Sequence, residues 1–253
     1  MKLNRLHLSL LSLATVASLA LSSCGGSTTP DNGKKQTPED TKKENPDNNP
    51  NTGNLPALSV SIEGEINPTT FVSGQKGSVS FNRFPASVEE FKQVRNQIGK
   101  TPHGAAALNI MALEMYRRNA NIGMQCLEII GTKNYVAPKG ALMNKLKGGV
   151  KKPYQYAAYL DGARYDNGYK PTKPYTIRVK VDEGRQYGKS SNDIIYLNLY
   201  IINNGSDKDA IIKLTRHDEE NMDSKNEYFL VYMSDAYSNV RDIKFDQTFE
   251  GLD

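Results

Sequence analysis

Between Leu58 and Phe245 the hydrophobic period of the chain changes twice, dividing it into strands, then helices, then strands again. Leu58, Val60 and Ile62 alternate with serine and glutamate, and Val79 and Phe81 do the same in "GSVSFNRF". A period of two is the spacing of half-buried strands. In "PASVEEFKQVRNQIGKTP" the period lengthens, so that Val88, Phe91, Val94 and Ile98 share one helical face. Ser87 and Glu90 have capping-box spacing, Ala86 and Phe91 have that of a hydrophobic staple, and Gly99 follows as a stop. Thr101 before Pro102 starts a second helix with a cap and a first-turn proline. Its broad apolar face runs from Ala105 through Leu108, Met111 and Ala112 to Met115, and Arg117 and Arg118 suit its C-terminal dipole end. Asn121 is placed to cap a third helix carrying Ile122, Cys126 and Ile129 to Gly131, and Pro138 to Lys147 predicts a short fourth.

After "DNGYKPTKP" the period returns to two. Tyr175, Ile177, Val179 and Val181 alternate with polar residues, as in a sheet with one wet face. "IIYLNLYII" is apolar almost throughout and suits a central strand. It runs into Asn203-Asn204-Gly205-Ser206, where Asn-Gly favours a tight hairpin returning as "AIIKLTRH". "EYFLVYM" and "NVRDIKFD" predict two more strands. Helices grouped first and strands later point to an α+β fold: N-terminal strands, three to four helices, then an antiparallel β meander.

The N-terminal part follows other rules. Lys2 and Arg5 precede an apolar run from Leu8 to Leu21, shorter than the roughly 20 residues a bilayer span takes. This is the pattern of an export signal. The junction Leu21-Ser22-Ser23-Cys24 resembles the lipobox of bacterial lipoproteins, which implies cleavage before Cys24 and acylation of its thiol. Each buried acyl methylene contributes about 0.8 kcal/mol, so several chains anchor firmly. From Gly25 to Pro56 the chain is polar, with five prolines, and has too little apolar surface to offset ordering. The expected organisation is a signal peptide over 1–23, a lipid-anchored tether over 24–57 with a reach of about 30 Å, and a single globular domain over 58–253.

The formal charge of +4 is too small a balance to imply nucleic acid. With Cys24 assigned to lipid, Cys126 has no disulfide partner. Three segments, "FPASVEEFKQVRNQIGKTPHGAAALNIMALEMYRRN", "GYKPTKPYTIRVKVD" and "IIYLNLYIINNGSDKDAIIKL", resemble a family of uncharacterised lipoproteins from the Bacteroides group, a domain of unknown function. The resemblance covers roughly Ser78 to Phe245 and implies a Gram-negative outer membrane but no catalytic residue. In that group, export to the surface goes with acidic residues directly after the cysteine. Gly25, Gly26 and Ser27 stand there instead, which favours the periplasmic face over the cell surface.

Catalytic signatures are weak. Gly188-Lys189-Ser190 matches the end of a phosphate-binding loop, but Gly184 is one residue too near and Ile194 onward is a strand where a helix is needed. Cys126 on an apolar helix face suits a small buried hydrophobe better than a nucleophile. His103 and His217 have no metal-ligand spacing with each other or with Cys126, and their positions suit solvent-side residues. The acids Asp182-Glu183 and Asp218-Glu219-Glu220 suit solvated turns. No catalytic residue, metal or cofactor is therefore expected. Six of the fourteen tyrosines fall between Tyr154 and Tyr175. Tyrosines on loops make recognition surfaces; the other reading is that half of them pack on the sheet. Around the Asp166-Asn167-Gly168 turn, Tyr165 and Tyr169, with Asp166 and Asn167, form the candidate ligand-binding group, both rings presented outward. These features together suggest a non-catalytic binding or accessory module, held at a membrane by its lipid, with an envelope peptide, glycan or protein as ligand. An envelope hydrolase and a structural envelope component are the alternatives.

Overall fold

The computed structural model describes residues 55–184, 187–189, 194–217 and 227–252. The expected signal peptide, Cys24, most of the expected tether and the acids at 218–220 lie outside the described residues. The fold is α+β, with four α-helices among the described residues and an antiparallel sheet ordered β1-β2-β3-β5-β6-β7, from which β4 branches by pairing with β5. β1 (Val60–Glu65) and β2 (Lys76–Phe81) form the first hairpin. The helices α1 (Val88–Ile98), α2 (Pro102–Arg118), α3 (Ala120–Ile130) and α4 (Ala141–Leu146) follow. β3 (Tyr175–Val181), β4 (Gly188–Lys189), β5 (Ile194–Ile201), β6 (Ala210–His217) and β7 (Leu230–Ser234) complete the sheet.

One sheet face carries the core. Val79, Phe81, Ile177, Val179, Leu197, Leu199, Ile212 and Leu214 point into it and are buried. α2 lies on this face, against β2, β3, β5, β6 and β7, with α1 and α3 flanking it. Its residues from Pro102 to Met115 are therefore all buried, because a helix covered on every side has no wet stripe. Ser87 caps α1 by accepting from Glu90 N–H at 3.2 Å, and Thr101 caps α2 by accepting from Gly104 N–H at 3.2 Å. The third helix is capped two residues earlier than expected: Asn119 Oδ1 accepts from Asn121 N–H and Ile122 N–H at 3.0 and 3.2 Å. Asn119 thereby closes α2 and opens α3 at once.

Several buried polar groups are paired, within α2 and across elements. Glu114, with no exposed surface, receives both Arg117 Nε and Nη2 at 2.7 Å and Arg118 Nε at 2.8 Å. Tyr135 Oη donates to Asn109 Oδ1 at 2.8 Å, and Asn109 Nδ2 donates to Ser234 Oγ at 3.0 Å, tying α2 to β7.

Three expectations change. The β5–β6 connection spans residues 202–209 and is no tight hairpin; Asn204 N–H donates to Ala158 O at 2.9 Å and Gly205 O accepts from Arg241 N–H at 2.7 Å, so the turn is held by other segments. "NVRDIKFD" is not a strand: its Arg241 and Lys244 N–H groups go to the carbonyls of Gly205 and Tyr165. It is the middle of an irregular strap, residues 235–252, lying over the loop of residues 152–170. His103, expected toward solvent, is 3% exposed. Its ring stands against Gly77, where a Cβ would meet the ring at 2.6 Å.

Candidate functional site

The tyrosine-rich loop is built by its own asparagine. Asn167 Oδ1 accepts from Arg164 N–H at 2.8 Å and Lys170 N–H at 3.2 Å, while its Nδ2 donates to Gly162 O at 2.8 Å. Gly168 (φ 68°) and Tyr169 (φ 55°) then turn in the left-handed region. A side chain at Gly168 would also strike Thr248 O at 2.3 Å. The turn is closed from outside by the strap.

The four candidate residues meet at this turn but divide between two tasks. Tyr169 has no exposed surface: its ring stacks on Tyr154 with centroids 4.9 Å apart, and its hydroxyl donates to Arg241 O at 2.8 Å. Burial pushes its pKa up to about 12. Tyr169 and Asn167 thus hold the turn and the strap, and Tyr169 does not present its ring outward. Tyr165 is 37% exposed, with the Arg241 guanidinium 5.4 Å from its ring centroid. Asp166 pairs with Arg164 at 2.9 Å. Of the other tyrosines in the segment, Tyr156, Tyr159 and Tyr175 are buried and Tyr154 is half-buried.

The large uncovered surface is elsewhere, on the face of the sheet away from the helices. Ser78 and Ser80 of β2, Thr176, Arg178 and Lys180 of β3, Tyr196 and Tyr200 of β5, and Tyr232 of β7 stand on it because they alternate with the core residues. Tyr196 and Tyr232 are 41% and 45% exposed and meet edge to face at 6.3 Å. Lys180 Nζ lies 5.7 Å from the Tyr200 ring centroid and 2.7 Å from Asp209 Oδ2. Arg178 pairs with Asp161 at 2.5 Å, and the hydroxyls of Ser80 and Thr176 meet at 2.9 Å. Three depressions of about 730, 430 and 460 Å³ lie along this face, with Lys180 lining all three. They offer hydroxyls, ion pairs and the Tyr200 ring, and Tyr196 and Tyr232 stand on the same face outside them, an arrangement suited to holding an elongated amphipathic ligand. The sequence signal for it was present in "IIYLNLYII", where Tyr196, Asn198 and Tyr200 fall on alternate positions. Reading the run as apolar throughout hid that second face.

Other candidates for chemistry take structural places. Cys126 is buried, its Sγ 3.7 Å from Met115 Sδ, and burial pushes its thiol up to about 12. Asp182 Oδ1 accepts from Gly184 N–H at 3.0 Å and Glu183 Oε1 from Gly74 N–H at 2.7 Å, so both acids hold turns. Gly188–Lys189 is strand β4, paired with β5. Among the described residues no group of three or more His, Cys, Asp or Glu is placed to hold a metal ion.

A family model matches residues 83–244, more than half of the chain. The chain belongs to that family, a domain of unknown function (DUF6935). The family match begins at Arg83, after the β1–β2 hairpin, and reaches Lys244 in the strap, so it takes in the helices, β3 to β7 and the tyrosine loop. No curated protein and no solved structure matches the chain.

Proposed function

We propose that this protein is a non-catalytic binding module of the cell envelope, anchored by lipid at Cys24 and taking its ligand on the open face of the sheet. The observation that carries the reading is the tyrosine-lined face itself. A two-layer fold buries one sheet face under helices, and the other is ordinarily polar. Here Tyr196 and Tyr232 spend exposed apolar area where serine or threonine would be more soluble, and Tyr200 and Lys180 continue the row beside them. Tyrosine combines a flat contact with a polar tip at low entropic cost, which suits glycans and extended peptides.

The anchor rests on Leu21-Ser22-Ser23-Cys24 and the polar tether behind it. The likeness of three segments to lipoproteins of the Bacteroides group supports an outer-membrane setting, and the absence of acids directly after Cys24 supports the periplasmic face.

The test is a binding screen of soluble wall fragments, oligosaccharides and extended peptides against the wild-type chain, Tyr196→Ala/Tyr200→Ala and Tyr165→Ala. A ligand of the open face loses about tenfold or more in affinity with the double variant, as for central aromatic contacts generally, and keeps it with Tyr165→Ala. Unchanged affinity in the double variant, or conversion of the ligand into products, would overturn the proposal.

A further inference from the structure

Between Ile129 and Leu160 the chain has six lysines and no acidic residue. Elsewhere several lysines have carboxylates at hand, Lys92 with Glu89, Lys100 with Glu227, Lys170 with Glu250 and Lys180 with Asp209, all within 3.0 Å. In this stretch Lys152 alone is paired among the described residues, with Asp242 at 2.9 Å. Lys145 and Lys151 are exposed and face one cavity of about 440 Å³, between the end of α4 and the turn at Ser238 and Asn239. No carboxylate lines it.

The backbone adds to the positive wall. Gly149 turns at φ 72°, a conformation that favours glycine, and a side chain at Gly148 or Gly149 would find no atom closer than 3.9 Å, so the space before them is open. The N–H groups of Gly148, Val150 and Lys151 donate to no acceptor among the described residues. Unpaired ammonium groups, open glycine backbone and free amide donors around one small cavity make a site for a compact anion. Lysine binds phosphate as a compact point charge, as at phosphate-binding loops, so two unpaired lysines beside free amides suit a phosphate.

We propose that this cavity binds a phosphate ester, held by Lys145 and Lys151 and by the free amides of Gly148, Val150 and Lys151. The phosphate can belong to a soluble compound or to a phospholipid headgroup, and the cavity is separate from the open sheet face.

The experiment uses the full chain carrying Cys24→Ala, so that no acyl group contributes. Inorganic phosphate and glycerol phosphate are titrated at constant ionic strength while backbone amide resonances are followed. In parallel, the chain is floated with vesicles of phosphatidylcholine alone or mixed with phosphatidylglycerol. Lys145→Glu/Lys151→Glu is compared with Lys92→Glu/Lys170→Glu, which changes net charge equally on other surfaces. Lys145→Gln/Lys151→Gln repeats the test without charge reversal, and melting curves check that each variant folds. A soluble phosphate ligand gives saturable shifts over residues 147–152, and affinity falls at least about tenfold in both cavity variants but not in the comparison. A headgroup ligand gives flotation with phosphatidylglycerol that depends on the same two lysines. No response in either arm, or equal losses in the cavity and comparison variants, would overturn the proposal.

Discussion

His103 shows how one residue ties stability to pH. Its two ring nitrogens are buried with no hydrogen-bond partner, and desolvation lowers its pKa from the ordinary histidine value. The folded chain therefore keeps the imidazole neutral to a lower pH than the unfolded chain, which takes up a proton near pH 6.5. The unfolded state binds more protons below that pH, so this contribution to stability is full above about pH 6.5 and is lost as pH falls through it toward the lower folded value. We expect the denaturant midpoint to drop between pH 7 and pH 5, and His103→Phe to remove that part of the slope while keeping a flat ring against Gly77. A slope that is the same in both chains would show that other groups set it.

At the scale of elements, the strap and the tyrosine loop are one unit. Lys152 pairs with Asp242 at 2.9 Å, Tyr154 Oη donates to Asp242 at 3.1 Å, Gln155 Nε2 donates to Ser238 O, and Lys170 pairs with Glu250 at 3.0 Å. The exposed ion pairs contribute little, roughly 0–1 kcal/mol each. Tyr169 does more, because its buried ring and its bond to Arg241 O join both halves. Tyr169→Ala should cost about 3–5 kcal/mol, as for buried aromatics, and should speed hydrogen exchange at Arg241 and Lys244. Tyr165→Ala, at a half-open position, should cost about 1 kcal/mol or less. Urea denaturation of both variants checks this, and equal losses would mean that the two rings share one role.

At the scale of the whole molecule, the proposed anchor precedes a folded domain to which Pro56 and Ala57 are hydrogen-bonded. Arg83 Nε donates to Pro56 O at 2.7 Å and Asn82 Nδ2 to Ala57 O at 2.8 Å. If Cys24 carries the lipid, Cys24→Ala leaves the domain folded, abolishes incorporation of labelled palmitate and moves the chain out of the membrane fraction. Palmitate labelling that survives in the variant would defeat the anchor reading.

Much of the architecture was legible because local rules wrote it. Ser87, Thr101 and Pro102 mark helix starts by supplying or excusing backbone donors, and alternation from Tyr175 to Val181 marks a strand with one buried face. The order of strands, then helices, then strands followed from those periods. Other features needed partners distant in sequence. "NVRDIKFD" has the alternation of a strand, yet its amides find Gly205 and Tyr165 because the strap crosses the loop instead of joining the sheet. Tyr165 and Tyr169 look alike in sequence, and only packing separates an exposed ring from one stacked on Tyr154. Lys145 and Lys151 become a site only when the turn at Ser238 and Asn239 closes the cavity beside them. Period and capping act within a few residues and survive in the sequence alone; burial, charge pairing and cavities depend on which distant segments meet, and the tertiary structure alone decides them.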